Sequence, residues 1–76
     1  MCLAVPAKVV SIDEDAFFAG EVDILGNKKT VSLILTPDAK IGDWVLVHAG
    51  QAISIISEDE AQASLEVWED ILHDEN

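Results

Sequence analysis

The sequence predicts an all-β domain: a small five-stranded barrel with one C-terminal α-helix packed on its side. Three observations predict it. Short β-branched and apolar segments recur through residues 1–56, mostly separated by tight turns. After residue 56 the apolar spacing changes from alternation to steps of three and four. An open sheet of five such strands would leave edges and an apolar face in water, and closing it removes most of that exposure. Seventy-six residues supply one core, so 1–76 is read as a single domain, with 1–56 the barrel and its N-terminal arm and 57–73 the helix.

The first strand is Val5-Pro6-Ala7-Lys8-Val9-Val10-Ser11-Ile12, ended by Asp13-Glu14-Asp15. Pro6 lacks an N–H, so this strand lies at an edge or starts after the proline. Phe17 to Ile24 follows, with Phe18, Gly20, Val22 and Ile24 on one face and Phe17, Ala19, Glu21 and Asp23 on the other. Gly26-Asn27 reads as the hairpin turn. Lys28 to Leu35 returns, with Val31, Leu33 and Leu35 alternating against Thr30, Ser32 and Ile34. A connector, Thr36 to Asp43, holds both a Pro and a Gly. Trp44-Val45-Leu46-Val47-His48-Ala49 is almost continuously apolar, which predicts a strand covered on both faces. Gly50 breaks it, and Gln51 to Ile56 makes the fifth strand.

Ser57-Glu58-Asp59-Glu60 has the capping-box pattern, with its acids at the favourable end of the helix dipole. Ala61, Leu65, Trp68 and Leu72, with Ile71 beside them, form the stripe expected to pack on the barrel. Glu66, Glu69 and Asp70 are expected in water, and His73, in the last turn, is read as solvated rather than as a ligand.

Charge limits the partners. Fifteen Asp and Glu face four Lys and no Arg, for a net charge of −11. Such a field repels nucleic acid and anionic membrane surfaces. It leaves proteins with neutral or basic faces, or a cation, as partners, and it also serves plain solubility. No apolar run approaches a membrane span and no secretory leader is evident, so the chain reads as cytoplasmic, with no membrane partner. A single cysteine excludes an internal disulfide.

Autonomous catalysis is not expected. The glycines are scattered singly, no Cys-x-x-Cys or His-Glu-x-x-His is present, and no serine sits in a nucleophile elbow. Two residues carry chemical interest. Cys2 follows the initiator Met, and a residue this small permits removal of the methionine. Its thiol and α-amine would then share one residue as a soft metal ligand or a nucleophile. The plain alternative is a free cysteine with no role. His48 is either hydrogen-bonded at the end of a buried strand or an imidazole at the barrel mouth, where Gly50 lets another backbone approach. Thiolate and imidazole together suit iron or zinc. Two ligands do not fill a coordination sphere, so a metal held by Cys2 and His48 would be shared with a partner or with small ligands. That suits a carrier better than an enzyme.

Met1-Cys2-Leu3-Ala4-Val5-Pro6-Ala7-Lys8-Val9 resembles the N-terminal signature of the HypC/HupF family of [NiFe]-hydrogenase maturation chaperones. Gly42-Asp43-Trp44-Val45-Leu46-Val47-His48-Ala49-Gly50 resembles the second motif of that family, and the likeness runs from Met1 to about Leu72. The resemblance implies an OB-like five-stranded barrel. It also implies a non-enzymatic role beside HypD, an iron–sulfur maturation partner. The pair would hold an iron carrying two cyanides and one carbon monoxide, and would deliver Fe(CN)₂CO to the precursor of the hydrogenase large subunit. By the same resemblance Cys2 is the essential residue, His48 a further iron ligand or an orienting group, and Pro6 the director of the arm. Cys2, Leu3, Pro6, Gly50 and Gln51 would meet partners. Two departures stand out. Gln51 replaces a common aromatic, which puts the local partner contact in doubt, and Ala7 replaces a common glycine. A competing function is a metal-free acidic adaptor that only holds the immature large subunit open. A single-stranded nucleic-acid binder is disfavoured by the charge and by only four aromatics.

Overall fold

The computed structural model describes residues 4–13 and 18–73, with side chains as far as Ile71. Five strands, β1 (Val5–Asp13), β2 (Ala19–Ile24), β3 (Asn27–Ser32), β4 (Trp44–His48) and β5 (Gln51–Ile56), precede one helix, α1 (Glu58–His73). They close into a barrel in the order β1-β2-β3-β5-β4, the OB-like arrangement. All neighbours are antiparallel except β3 and β5, which meet parallel at Ser32 and Gln51.

β1 closes the barrel by serving two neighbours in turn. Val5 to Lys8 pair with β4, and Lys8 to Asp13 pair with β2, with a register shift at Val10 that bends the strand between them. Val9 donates its N–H to the Asp43 carbonyl and accepts from Gly42 N–H, so alternate residues Val9, Ala7 and Val5 direct their backbone groups toward β4. Pro6 directs its nitrogen the other way, where β2 does not reach, so the missing N–H costs no ladder bond. The strand therefore begins at Val5, with Pro6 inside it on its unpaired side.

The core is made of small side chains: Ala7, Val9, Val22, Val31, Leu33, Ala39, Val45, Val47 and Ala52, with Ile12 and Ile24 packed against it. The alternation expected for β2 holds at Gly20, Val22 and Ile24 but fails at Phe18. That residue precedes the strand with φ of 57° and is 56% exposed. Phe17, Glu14 and Asp15 lie outside the described residues. A Cβ on Gly20 would stand 2.6 Å from Leu33 Cδ1, so the absence of a side chain there is what lets Leu33 enter the core.

Two turns correct the sequence reading. The β2–β3 hairpin turns on Leu25-Gly26, one residue earlier than expected, and Ile24 pairs with Asn27 across it. Both turn residues have positive φ, the geometry of a type I′ turn, and Asp23 Oδ1 accepts from Gly26 N–H at 2.8 Å. β3 stops at Ser32 instead of running to Leu35. Ser32 Oγ accepts from Ile34 N–H at 3.3 Å and the Leu33 carbonyl accepts from Thr36 N–H at 3.0 Å. The chain therefore turns just past Leu33, and Leu35, expected to share a strand face with Val31 and Leu33, is 58% exposed.

The helix starts as the sequence requires. Glu60 N–H donates to Ser57 Oγ and Ser57 N–H donates to Glu60 Oε1, each at 3.1 Å. The helix lies against β1 and β4. Ala61 is fully buried and Leu65 and Trp68 are half-buried, whereas Ile71 remains largely exposed at the margin of the stripe. The side chains of Leu72 and His73 lie outside the described residues. Among the described residues no helix is long and apolar enough to cross a membrane.

Candidate functional site

The register of β1 on β4 brings the start of β1 to the end of the barrel that carries His48, Gly50 and Gln51. Val5 pairs with Val47, and the same register continued by one residue sets Ala4 opposite His48. The N-terminal arm thus leaves the barrel beside the β4–β5 hairpin. Cys2 and Leu3 lie outside the described residues.

His48 ends β4 and pairs with Gln51 across a two-residue turn, Ala49-Gly50. Ala49 has φ of 54° and Gly50 φ of 80°, again a type I′ pattern, so β4 stops at His48 and not at Ala49. Along β4, Val45 and Val47 are buried, while Trp44, Leu46 and His48 form the alternate, outward set. The helix lies against β4 and Trp44 and Leu46 are half-buried, so the two-sided cover expected of this strand stops short of His48, which is exposed. Among the described residues the imidazole has no hydrogen-bond partner.

Gly50 contributes through its backbone. Its carbonyl accepts from Ser32 N–H at 2.9 Å, the bond that joins β3 to the β4–β5 hairpin and closes the barrel. A Cβ there would meet nothing within 4 Å, so the space outside the turn is open. Gln51 is exposed beside it. Pro6 is fully buried, so its ring packs against this chain.

An apolar patch that sequence reasoning missed adjoins this end. Phe18 O accepts from Leu33 N–H at 2.7 Å, which brings Phe18 beside the turn carrying Ile34 and Leu35, all three more than half exposed. Ser32, next to Leu33, is the residue paired with Gln51. The alternating pattern of residues 31–35 concealed the patch. The Thr36-Pro37 breaker one residue later was the available sign that the strand had ended. Among the described residues no three His, Cys, Asp or Glu side chains are grouped to hold a metal. His48 alone cannot do so.

Comparison with known proteins bears on this arrangement. The model of the HupF/HypC family matches residues 1–68. The chain belongs to the HupF/HypC family. It is 44% identical over 71 residues to hydrogenase maturation factor HypC of Cupriavidus necator, covering 93% of this chain and 77% of that one. It is 46% identical over 68 residues to HypC of a Synechocystis strain, covering 86% and 90%. Hydrogenase maturation factor HybG of Escherichia coli K12 is 40% identical over 78 residues, covering 97% and 95%. The match therefore spans the barrel and most of the helix, the N-terminal arm and the His48 hairpin included.

Proposed function

We propose that this HupF/HypC protein is a hydrogenase maturation chaperone. In this reading it carries iron already dressed with two cyanides and one carbon monoxide, shared with a HypD partner, to the precursor of the [NiFe]-hydrogenase large subunit. The observation that carries the reading is the register that sets the root of the arm opposite His48. Cys2 lies two residue steps from Ala4, and two extended steps span at most about 7 Å. Thiolate and imidazole can therefore reach one metal ion without any rearrangement of the barrel.

The chemistry suits a carrier. Cyanide and carbon monoxide occupy three positions of a six-coordinate iron. Cys2 and His48 would supply two more, and a partner cysteine the last. An imidazole with no partner among the described residues is free to bind and to release. Delivery would then be ligand exchange: donors of the receiving protein would displace Cys2, His48 and the partner cysteine, breaking those three iron–protein bonds and no bond within the Fe(CN)₂CO unit. A ligand set completed only in the complex favours that exchange over permanent retention.

Infrared spectroscopy tests the reading on protein purified anaerobically with its co-expressed HypD partner. Metal-bound cyanide and carbon monoxide bands are expected in the wild type and lost in Cys2→Ala, with the denaturation midpoint unchanged. Absence of bands while the partner remains bound would establish the metal-free adaptor instead. Loss of folding in Cys2→Ala would make the cysteine a packing residue.

A further inference from the structure

Between α1 and the outer face of the barrel lies an open cavity of about 360 Å³. Its walls are of two kinds. Val10, Leu25 and Leu65 supply apolar surface, and the Trp44 ring forms one side. The carboxylates of Asp23, from the β2–β3 hairpin, and Glu69, from the helix, border the same space with a single amine, Lys8. Lys8 Nζ stands 5.9 Å from the Trp44 ring centroid, at the outer limit of a cation–π contact. Lys8 is exposed, so this contact is loosely held and displaceable.

We propose that this pocket receives an arginine side chain of a protein partner, its guanidinium stacked on Trp44 and donating to Asp23 and Glu69. Four features select that ligand. The pocket has two acids to one amine, within a chain of net charge −11 that attracts basic surfaces. Its ring already holds a cation. Its apolar wall matches a methylene stem, which a metal ion lacks, and two carboxylates are too few for a metal cage. The planar, forked and weakly hydrated guanidinium suits stacking and two acceptors better than an ammonium does. The chain contains no arginine, so the side chain comes from a different protein and not from a second copy. Trp44 and His48 share one face of β4, four strand steps or about 13 Å apart, so one partner surface can span both.

The inference needs a basic partner but no iron, and the test keeps the two apart. The purified full chain is titrated with N-acetyl-arginine amide and followed by ¹⁵N–¹H NMR, with the norleucine and lysine analogues in parallel. Saturable shifts are expected at the Trp44 indole, Leu65, Glu69 and the Leu25-Gly26 turn, strongest for arginine. Glu69→Gln and Asp23→Asn should each weaken binding about fivefold, as for a partly exposed charge pair. Asn can still accept from Gly26 N–H, so the hairpin survives that change. Lys8→Gln should strengthen binding, a gain that general damage to the fold cannot mimic. Equal shifts with norleucine, no saturation, or no effect of Glu69→Gln would overturn the assignment. Infrared bands that persist while guanidinium binding fails would sink this inference alone, and the reverse result would sink only the iron-carrying reading.

Discussion

Replacing Gly20 with alanine should destabilise the barrel by an amount the structure lets us work out. The new Cβ would lie 2.6 Å from Leu33 Cδ1 and 2.9 Å from the Ser11 carbonyl oxygen, where carbon contacts normally settle at about 3.5–4.0 Å. Leu33 is 2% exposed and cannot swing outward without leaving a void among Val and Ala neighbours. The Ser11 carbonyl belongs to the bulged β1–β2 ladder, which resists movement. Overpacking of this kind costs roughly 1–3 kcal/mol, and two simultaneous contacts argue for the upper end. Glycine-to-alanine replacement regains up to about 1 kcal/mol through the unfolded chain. The net expectation is about 2 kcal/mol, a fall in Tm of roughly 8–16 °C for a domain this small. Urea and thermal unfolding by circular dichroism read it directly. Leu33→Ala alone should cost about 2–5 kcal/mol. In that background Gly20→Ala should cost at most about 1 kcal/mol, because the side-chain conflict is gone. A neutral or stabilising Gly20→Ala would refute the reasoning outright. An equal cost in both backgrounds would move the strain from Leu33 to the Ser11 carbonyl.

Two further outcomes follow from local geometry. Ala49 holds φ of 54° without being glycine, so Ala49→Gly should stabilise the protein by about 0.5–1 kcal/mol in urea titration, and a β-branched Ala49→Val should destabilise it. Ser57→Ala removes the Oγ that accepts from Glu60 N–H but keeps the backbone N–H that donates to Glu60 Oε1, and should cost about 1 kcal/mol, seen as lost helicity at 222 nm. The backbone and side-chain hydrogen bonds to Ser57 hold the Glu60 carboxyl below its ordinary pKa. Its contribution to stability is complete above the ordinary carboxylate pKa and is lost as pH falls through the lowered folded value. Glu60→Gln should keep the cap while flattening that acid limb, and an unchanged limb in the variant would assign the pH dependence to other carboxylates.

The features legible in the sequence were those decided within a few residues. The capping box at Ser57 and Glu60, the small-residue strand faces at Val22 and Val31, and the break at Gly50 are set by neighbours in the chain. The errors have non-local causes. Leu35 fits the alternation of Val31 and Leu33, yet the strand ends because Leu33 must lodge beside Gly20, thirteen residues earlier, after which Ser32 and Thr36 organise a turn. Gly26-Asn27 scores as a better turn than Leu25-Gly26, but the Asp23 side chain supports the earlier pair from outside the turn. The same limit governs the site. The residue types of Cys2 and His48 are visible, but the pairing of Val5 with Val47 that relates arm to hairpin belongs to tertiary register. The Trp44 pocket requires the helix to dock over β1 and β4, which no local pattern reveals.

The β4–β5 hairpin combines two tasks, and this shapes how any substitution there must be read. His48 and Gln51 pair across the turn with exposed side chains, whereas Gly50 bonds inward through its carbonyl to Ser32. That bond joins the parallel β3–β5 seam, which is paired at a single position, Ser32 with Gln51. A side chain at Gly50 would enter open space but would strain a φ of 80°. Weakened partner binding after such a change would therefore report first on the seam and only second on any contact at the turn. Gln51 presents the opposite case. Its side chain is exposed while its backbone makes the seam, so truncating the side chain leaves the closing geometry in place. The partner contact proposed for this end of the barrel can be tested apart from barrel closure at Gln51 and His48, but not at Gly50.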